Sequence, residues 1–298
     1  MNPDPDALIE YLTKDSQRPV PPALVVLTDA LQKRFGQALV AVLFYGSCMR
    51  TGEVRDAVID LHVIIDRYSA YDSPLLAVLN RVIAPNVFYL RTHSQGMEVR
   101  AKYNVFALDH LRRLTGPRRL AVFSWARLAQ RAVVVYTRDP ASLGQVQAIR
   151  AQAVRTFARA ARPLCPPPSQ GALFWQEALQ LTFASELRAE SAGRAAQLVS
   201  QDADYFEAVA AQLPDTQAQS RQTTARLAWA LRAVVGKIGS VLRLLKGWYT
   251  FDGGLDYLVW KLERHSGKRI EVPARVRARP ALHIWAFAWR LYRDGVFR

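Results

Sequence analysis

The sequence predicts an α+β protein, with a mixed β-sheet domain over residues 1–160 followed by a mainly helical domain over residues 161–298. Three observations carry this. Short runs rich in Val, Ile, Leu, Phe and Tyr recur between residues 38 and 136, each too short for an amphipathic helix and most bounded by turn residues. From Ala141 onwards the composition turns to Ala, Arg, Gln and Leu at helical spacing. Within that helical stretch, the Pro-rich break at Pro163, Pro166, Pro167 and Pro168 marks the domain boundary.

Taken in order, residues 7–12 predict an opening helix, Pro19, Pro21 and Pro22 mark a loop, and residues 24–35 have helical periodicity. Residues 38–45 form the first buried strand, which stops at Gly46. Residues 57–65 form the second, and strands over 86–90 and 99–107 flank a turn at Gln95-Gly96. Helices follow over 108–114 and 120–130, then a buried strand over 132–136. Beyond residue 141 the helical pattern is broken only by the Pro-rich segment and by Pro214.

The chemistry concentrates in the first hairpin. Gly46 lets the chain turn and approach a ligand closely, and Ser47 adds a hydroxyl to the backbone N–H groups of that turn, a combination suited to phosphate oxygens. The next strand carries one carboxylate, Asp60, in an otherwise apolar run. Its period of two puts Asp60, His62 and Ile64 on one face. A carboxylate there is costly unless it is paired or holds a metal. The ordinary alternatives are a plain Gly-Ser turn, an Asp that ends a ladder, and a His62 packed against its neighbours.

Half of the 298 residues are apolar, enough for one large or two small domains. A net charge of +15 and a pI near 10.3 argue for an anionic partner: nucleic acid, an anionic membrane surface or a phosphorylated substrate. Cys48 and Cys165 have no Cys-x-x-Cys spacing, which excludes a zinc pattern and a disulfide framework and suggests a reducing compartment. The acidic, Pro-containing N-terminus is unlike a signal peptide, and no apolar run approaches the roughly 20 residues that span a bilayer.

Strand, Gly-Ser, a polar loop with Arg50 and Gly52, and an acidic strand together match the layout of nucleotidyltransferases of the polymerase-beta type, although only Asp60 stands where that layout has two carboxylates. Six patches in order then resemble the mitochondrial translocator assembly and maintenance family of phosphatidate cytidylyltransferases. They are Tyr45-Gly46-Ser47; the strand around the single Asp60; Ala101-Lys102-Tyr103-Asn104-Val105; Trp125-Ala126-Arg127-Leu128; Leu181 to Arg188; and Ser240-Val241 through Lys246-Gly247-Trp248-Tyr249-Thr250. The chain departs from the family in Asn104 for a Gly, in Glu186 for an Asp, and in lacking the Trp-His and His-Tyr-Ser elements after Asp66.

The resemblance implies a nucleotidyltransferase-like fold and the reaction of CTP with phosphatidate to give CDP-diacylglycerol and pyrophosphate in phospholipid synthesis. It implies Mg²⁺ or another divalent cation on Asp60, with Glu186 or Asp66 as a second carboxylate. Asp60, Lys102 and Lys246 are the implied catalytic residues, and Gly46, Ser47, Arg127, Arg188, Lys246 and Thr250 the implied nucleotide contacts. The aromatic and Arg-rich stretch 281–293 suggests a helix lying on an anionic membrane surface, with core packing as its alternative. The expected location is cytoplasmic and peripheral on the inner membrane surface. Nucleic acid is not the expected partner, since no motif interleaves basic and aromatic residues on one surface. The alternatives are nucleotidyl transfer to RNA, a protein or a small molecule, and a noncatalytic nucleic-acid-binding module.

Overall fold

The computed structural model describes residues 4, 6–54, 57–71, 73–94, 97–120, 122–165, 170–186, 192–214 and 222–250, together with 269–278 and a few single positions near the C-terminus. The chain begins with α1 (Ala7–Asp15) and α2 (Ala23–Phe35). The sheet then builds through β1 (Leu39–Tyr45), α3 (Ser47–Thr51), β2 (Val58–Ile65), α4 (Pro74–Val82), β3 (Asn86–Ser94) and β4 (Met97–Ala107). After α5 (Leu108–Leu114) and α6 (Phe123–Leu128), β5 (Val133–Thr137) closes the sheet. The rest is helical: α7 (Pro140–Ala161), α8 (Gly171–Ala184), α9 (Ala192–Gln201), α10 (Ala203–Ala211), α11 (Gln222–Thr250) and a short helix, Ala274–Ala278.

The five strands lie in the order β3-β4-β2-β1-β5. All neighbours are antiparallel except β2 and β4, so the sheet is mixed and the fold is α+β, as the sequence predicts. Every residue of β1 is buried, as befits a strand covered on both faces. The expected helix over 120–130 is shorter, and the strand expected over 86–90 runs on to Ser94, because β3 keeps its pairing with β4 as far as Ser94 opposite Met97.

Alternation along the strands sorts the side chains into two layers. Ile59, Leu61 and Val63 face α2, whose Leu24, Leu27 and Leu31 lie at helical spacing and complete one core. Leu43, Tyr45, Ile64 and Phe106 face the other way, toward α5, α6 and α7. A third core is wholly helical and centres on Trp125, Phe157, Trp175 and Phe206. The helix α7 ends at Ala161, next to the expected boundary. That helix serves both cores, with Val146 and Ile149 toward the sheet and Val154 and Phe157 toward the helices, while α1 and α6 also pack into the helical core.

One buried cation ties these parts together. Arg131, just before β5, bonds Asp15 at the end of α1 and Asp202 and Asp204 at the start of α10, over 2.7–3.2 Å. Burial works against its charge, yet the three carboxylates raise the guanidinium pKa above its ordinary value. Among the described residues, no helix is long and apolar enough to cross a membrane. Most of the stretch 281–293, expected as a membrane-surface helix, lies outside the described residues.

Candidate active site

The β1–α3 turn and β2 meet at Gly46 and Asp60. Gly46 has φ 90° and ψ −164°, a conformation that side chains disfavour. A Cβ there would lie 2.9 Å from Asp60 Oδ2, so the backbone of the turn rests on the carboxylate. Ser47 is exposed beside it. As the first residues of a short helix, 47–49 have N–H groups with no partner inside α3.

Sheet register supplies the next residues. Tyr45, Asp60, Lys102 and Tyr89 lie opposite one another across β1, β2, β4 and β3 and point to one face. Lys102 Nζ sits 3.1 Å from Asp60 Oδ1, which explains how a strand can carry this carboxylate; the pair is partly open to solvent, at 35% and 24% exposure. One rung further in, Asn104 donates to the Tyr45 hydroxyl at 2.8 Å. His62 stacks on the Tyr45 ring at 3.9 Å between centroids and meets Phe106 edge-on. Burial, aided by Arg127, Arg150 and Lys102, drives the imidazole pKa well below 6.5. His62 is thus a neutral packing residue.

Two cations from the helices overhang this row. Arg127 on α6 lies against the Tyr45 hydroxyl, within electrostatic reach of Asp60, and pairs with Glu186 at 3.8 Å. Its helix is fixed from behind, since Ser124 Oγ and Trp125 Nε1 both donate to the Leu114 carbonyl at 3.1 Å. The phenol of Tyr45 is pushed above its ordinary pKa, first by burial and then by the charge of Asp60. Arg243 on α11 lies over the Phe123 ring and close enough to Arg127 and Glu186 to feel both. The helix carrying it comes this close because residue 236 is glycine: a Cβ there would stand 2.4 Å from the Ser185 carbonyl oxygen. Tyr45, Asn104 and Arg243 belong to the site surroundings but were not among the expected site residues. Arg243 precedes Lys246 by three positions, and the helical spacing of that run was the available signal.

Two expectations need correction, and two residues fall outside what the structure describes. Lys246 is 5% exposed and donates to the carbonyls of Ile83 and of Pro85, the latter at 2.6 Å, so its ammonium braces the α4–β3 turn. Burial, then Arg243, push its pKa down to about 7. Pro85 adjoins Asn86, which pairs with Val105, three residues or about 10 Å along β4 from Lys102. Asp66 follows the far end of β2, six residues or about 20 Å from Asp60, and accepts from Arg138 at 2.8 Å. It therefore cannot share an ion with Asp60. Arg188 lies outside the described residues, and Thr250 is the last residue of α11, its side chain likewise outside them.

Among the described residues, no group of three or more His, Cys, Asp or Glu side chains could enclose a metal. Mg²⁺ needs less than such a cage: one or two carboxylates suffice when substrate phosphates and water complete the shell. Asp60, partly open beside the glycine turn, meets that minimum, and Glu186 neighbours the same Arg127.

No family model matches the chain, and no curated protein matches it. Among solved structures it is similar to a nucleotidyltransferase-like protein from Exiguobacterium sibiricum 255-15, over 92% of this chain and 91% of that one, at 10% identity and a TM-score of 0.28.

Proposed function

We propose that the protein transfers a nucleotidyl group, with CTP as donor and phosphatidate at an anionic membrane surface as acceptor. The observation that carries the transfer reaction is the contact between the Gly46 backbone and the Asp60 carboxylate, in a row that also holds Lys102 and lies under Arg127. A triphosphate lying on this turn meets backbone N–H groups, the exposed Ser47 hydroxyl and two cations, while a carboxylate stays within reach of a phosphate-bound ion.

The choice of acceptor rests on the family resemblance, and one surface feature supports it. Leu227, Leu231, Val234, Ile238 and Leu242 form an exposed stripe along α11, and the charged residues of that helix are all Arg or Lys. Two of those cations, Arg226 and Lys237, are exposed like the stripe, a combination that suits an anionic lipid surface.

In the reaction, a phosphatidate oxygen attacks the α-phosphorus of CTP. The new P–O bond forms as the bond to the β-phosphate oxygen breaks, and pyrophosphate leaves. A phosphate monoester has a second pKa of about 6, so the acceptor is already a dianion near neutrality and needs no general base. The chain's own residues do the positioning and offset charge. Lys102 and Arg127, both near Asp60, would offset the negative charge that gathers on the equatorial oxygens, and Gly46 allows the backbone close approach. Mg²⁺ held through Asp60 and phosphate oxygens would supply Lewis-acid stabilisation.

The test is conversion of labelled CTP with Mg²⁺, with and without phosphatidate vesicles, using Asp60→Asn as the control. Lipid-dependent CDP-diacylglycerol formation that disappears in the variant is the expected result. Turnover retained by Asp60→Asn removes the metal role of Asp60. Release of pyrophosphate without lipid product keeps nucleotidyl transfer and discards phosphatidate.

A further inference from the structure

The helix α4 is apolar on the side that faces water. Leu75, Val78 and Val82 recur there at helical spacing, 59–73% exposed. The opposite side carries Asn80, which is fully buried. Its Nδ2 donates to the Tyr71 hydroxyl at 2.7 Å and to the Val105 carbonyl at 2.9 Å, and its Oδ1 accepts from the Asn86 N–H at 2.8 Å. These bonds fix the roll of the helix, because turning the apolar side inward would leave a buried amide without partners.

Cations gather beside this stripe. Arg81 is exposed on α4 itself, and Arg113 and Arg119 are exposed on the segment that ends α5 and leads to α6. All three act electrostatically on one imidazole, that of His110, which places them around the same point. Arg112 and Arg118 are exposed on the same segment. Little opposes this charge: residues 73–94 contain no Asp or Glu, and the single acid of residues 108–120, Asp109, is taken by Arg112 at 3.0 Å. The segment is held in place, since the Arg112 carbonyl accepts from Gln152 on α7 at 3.0 Å and the Leu114 carbonyl from Ser124 and Trp125.

The apolar surface does not stop at α4. Ile83, next after Val82, gives its carbonyl to Lys246, and Leu242, one turn earlier on α11, belongs to the exposed stripe of that helix. The two apolar sides thus lead to one contact. Exposed apolar surface bordered by charge marks an interaction site, and the two chemistries together select the partner. A nucleic acid would use the arginines and leave the apolar side chains in water. An anionic bilayer takes both, with acyl chains for the one and headgroup phosphates for the other.

We infer that the outer side of α4 and the Arg-rich segment 112–119 form a docking surface for an anionic lipid bilayer, with Leu75, Val78 and Val82 among the acyl chains and Arg81, Arg113 and Arg119 on the headgroup phosphates. The inference deepens the lipid-acceptor reading and rests on it for the choice of a lipid partner. It makes α4 a second membrane-facing helix beside α11, braced to it through Lys246.

Sedimentation of the full chain with phosphatidylcholine vesicles, with and without added phosphatidylglycerol, tests it. Phosphatidylglycerol is anionic and is not the proposed acceptor, so docking is read apart from the reaction. The expected result is sedimentation with the anionic vesicles only. A cation near an anionic surface strengthens binding about fivefold, so Arg113→Gln combined with Arg119→Gln should weaken it about 25-fold. Val78→Asp combined with Val82→Asp changes only exposed positions and should weaken it by about tenfold or more. Turnover of CTP with a short-chain, monomeric phosphatidate should be the same in both pairs as in the parent, since all four residues lie outside the site around Asp60. No sedimentation with either vesicle, or binding that survives both pairs, overturns the inference, and turnover of the short-chain acceptor then keeps the transfer reading. Binding lost with the arginine pair and kept by the valine pair overturns the lipid assignment in favour of a surface for polyanions such as single-stranded RNA. Sedimentation as expected without turnover of any phosphatidate removes the transfer reading and keeps the docking surface.

Discussion

Gly46 and Asp60 are in contact through backbone on one side and carboxylate on the other, leaving no room for a side chain at position 46. Gly46→Ala therefore faces two penalties, a φ of 90° and a Cβ 2.9 Å from Oδ2. Strained backbone of this kind costs about 1–3 kcal/mol. The turn can relieve it only by moving away from Asp60. The expected outcome is a urea midpoint lowered accordingly and CTP turnover reduced by far more than stability, measured on the same preparation. Full turnover would mean that the close approach has no part in the reaction.

The hairpin was legible because local rules fix it. Apolar runs of strand length, a glycine where the chain must turn and a lone acid within a strand each follow from neighbours in sequence. Lys102 was legible for the same reason, as the one charge in the run Ala101 to Ala107. What stayed hidden depends on register and on contacts between distant segments. Nothing near residue 60 announces that Lys102 lies opposite it, and Asp66, six residues on, looks equally suitable until strand rise puts it about 20 Å away. Asp15, Arg131, Asp202 and Asp204 lie on three separated segments and read as ordinary surface charges until the fold brings them together.

Lys246 illustrates the opposite error, a cation that looks free in sequence and is fully employed in structure. Its ammonium serves the carbonyls of Ile83 and Pro85, so Lys246→Met strips buried acceptors of their donor, at about 1–3 kcal/mol. The expected outcome is a lower unfolding midpoint with the KM for CTP within about twofold of the parent. A large rise in KM without loss of stability would return Lys246 to the nucleotide site.

Two buried histidines give the protein an acid limit. Burial, then nearby cations, lower the pKa of His62 well below 6.5 and that of His110 to about 4; His110 Nδ1 is bonded to the Tyr68 hydroxyl at 2.8 Å. Between those values and 6.5 the unfolded chain binds protons that the folded chain refuses. Their contribution is thus complete above pH 6.5 and is lost as pH falls toward 4, by about 1.4 kcal/mol per pH unit for each histidine at most. Urea midpoints at pH 7, 6, 5 and 4 should fall more steeply for the parent than for His62→Gln combined with His110→Gln. Parallel profiles would show that neither imidazole is kept neutral by the fold.

Arg131 joins α1, the segment before β5 and the start of α10, and its removal should be the most damaging single change outside the apolar cores. In Arg131→Met, Asp202 keeps its burial and loses its counter-ion while Asp15 is left with Arg18 alone, and losing the partner of a buried charge costs about 3–5 kcal/mol. The sign of the pH dependence separates this cause from simple mispacking. Burial raises the Asp202 pKa against the opposing charge of Arg131, and without Arg131 it rises further, so the folded variant takes up a proton before the unfolded chain does and acid favours it. The gap in stability between parent and variant should therefore be widest near pH 7 and narrow as pH falls toward 4. A gap that stays constant over that range would assign the loss to packing around Tyr205, whose ring lies 5.1 Å from the guanidinium carbon, and not to charge.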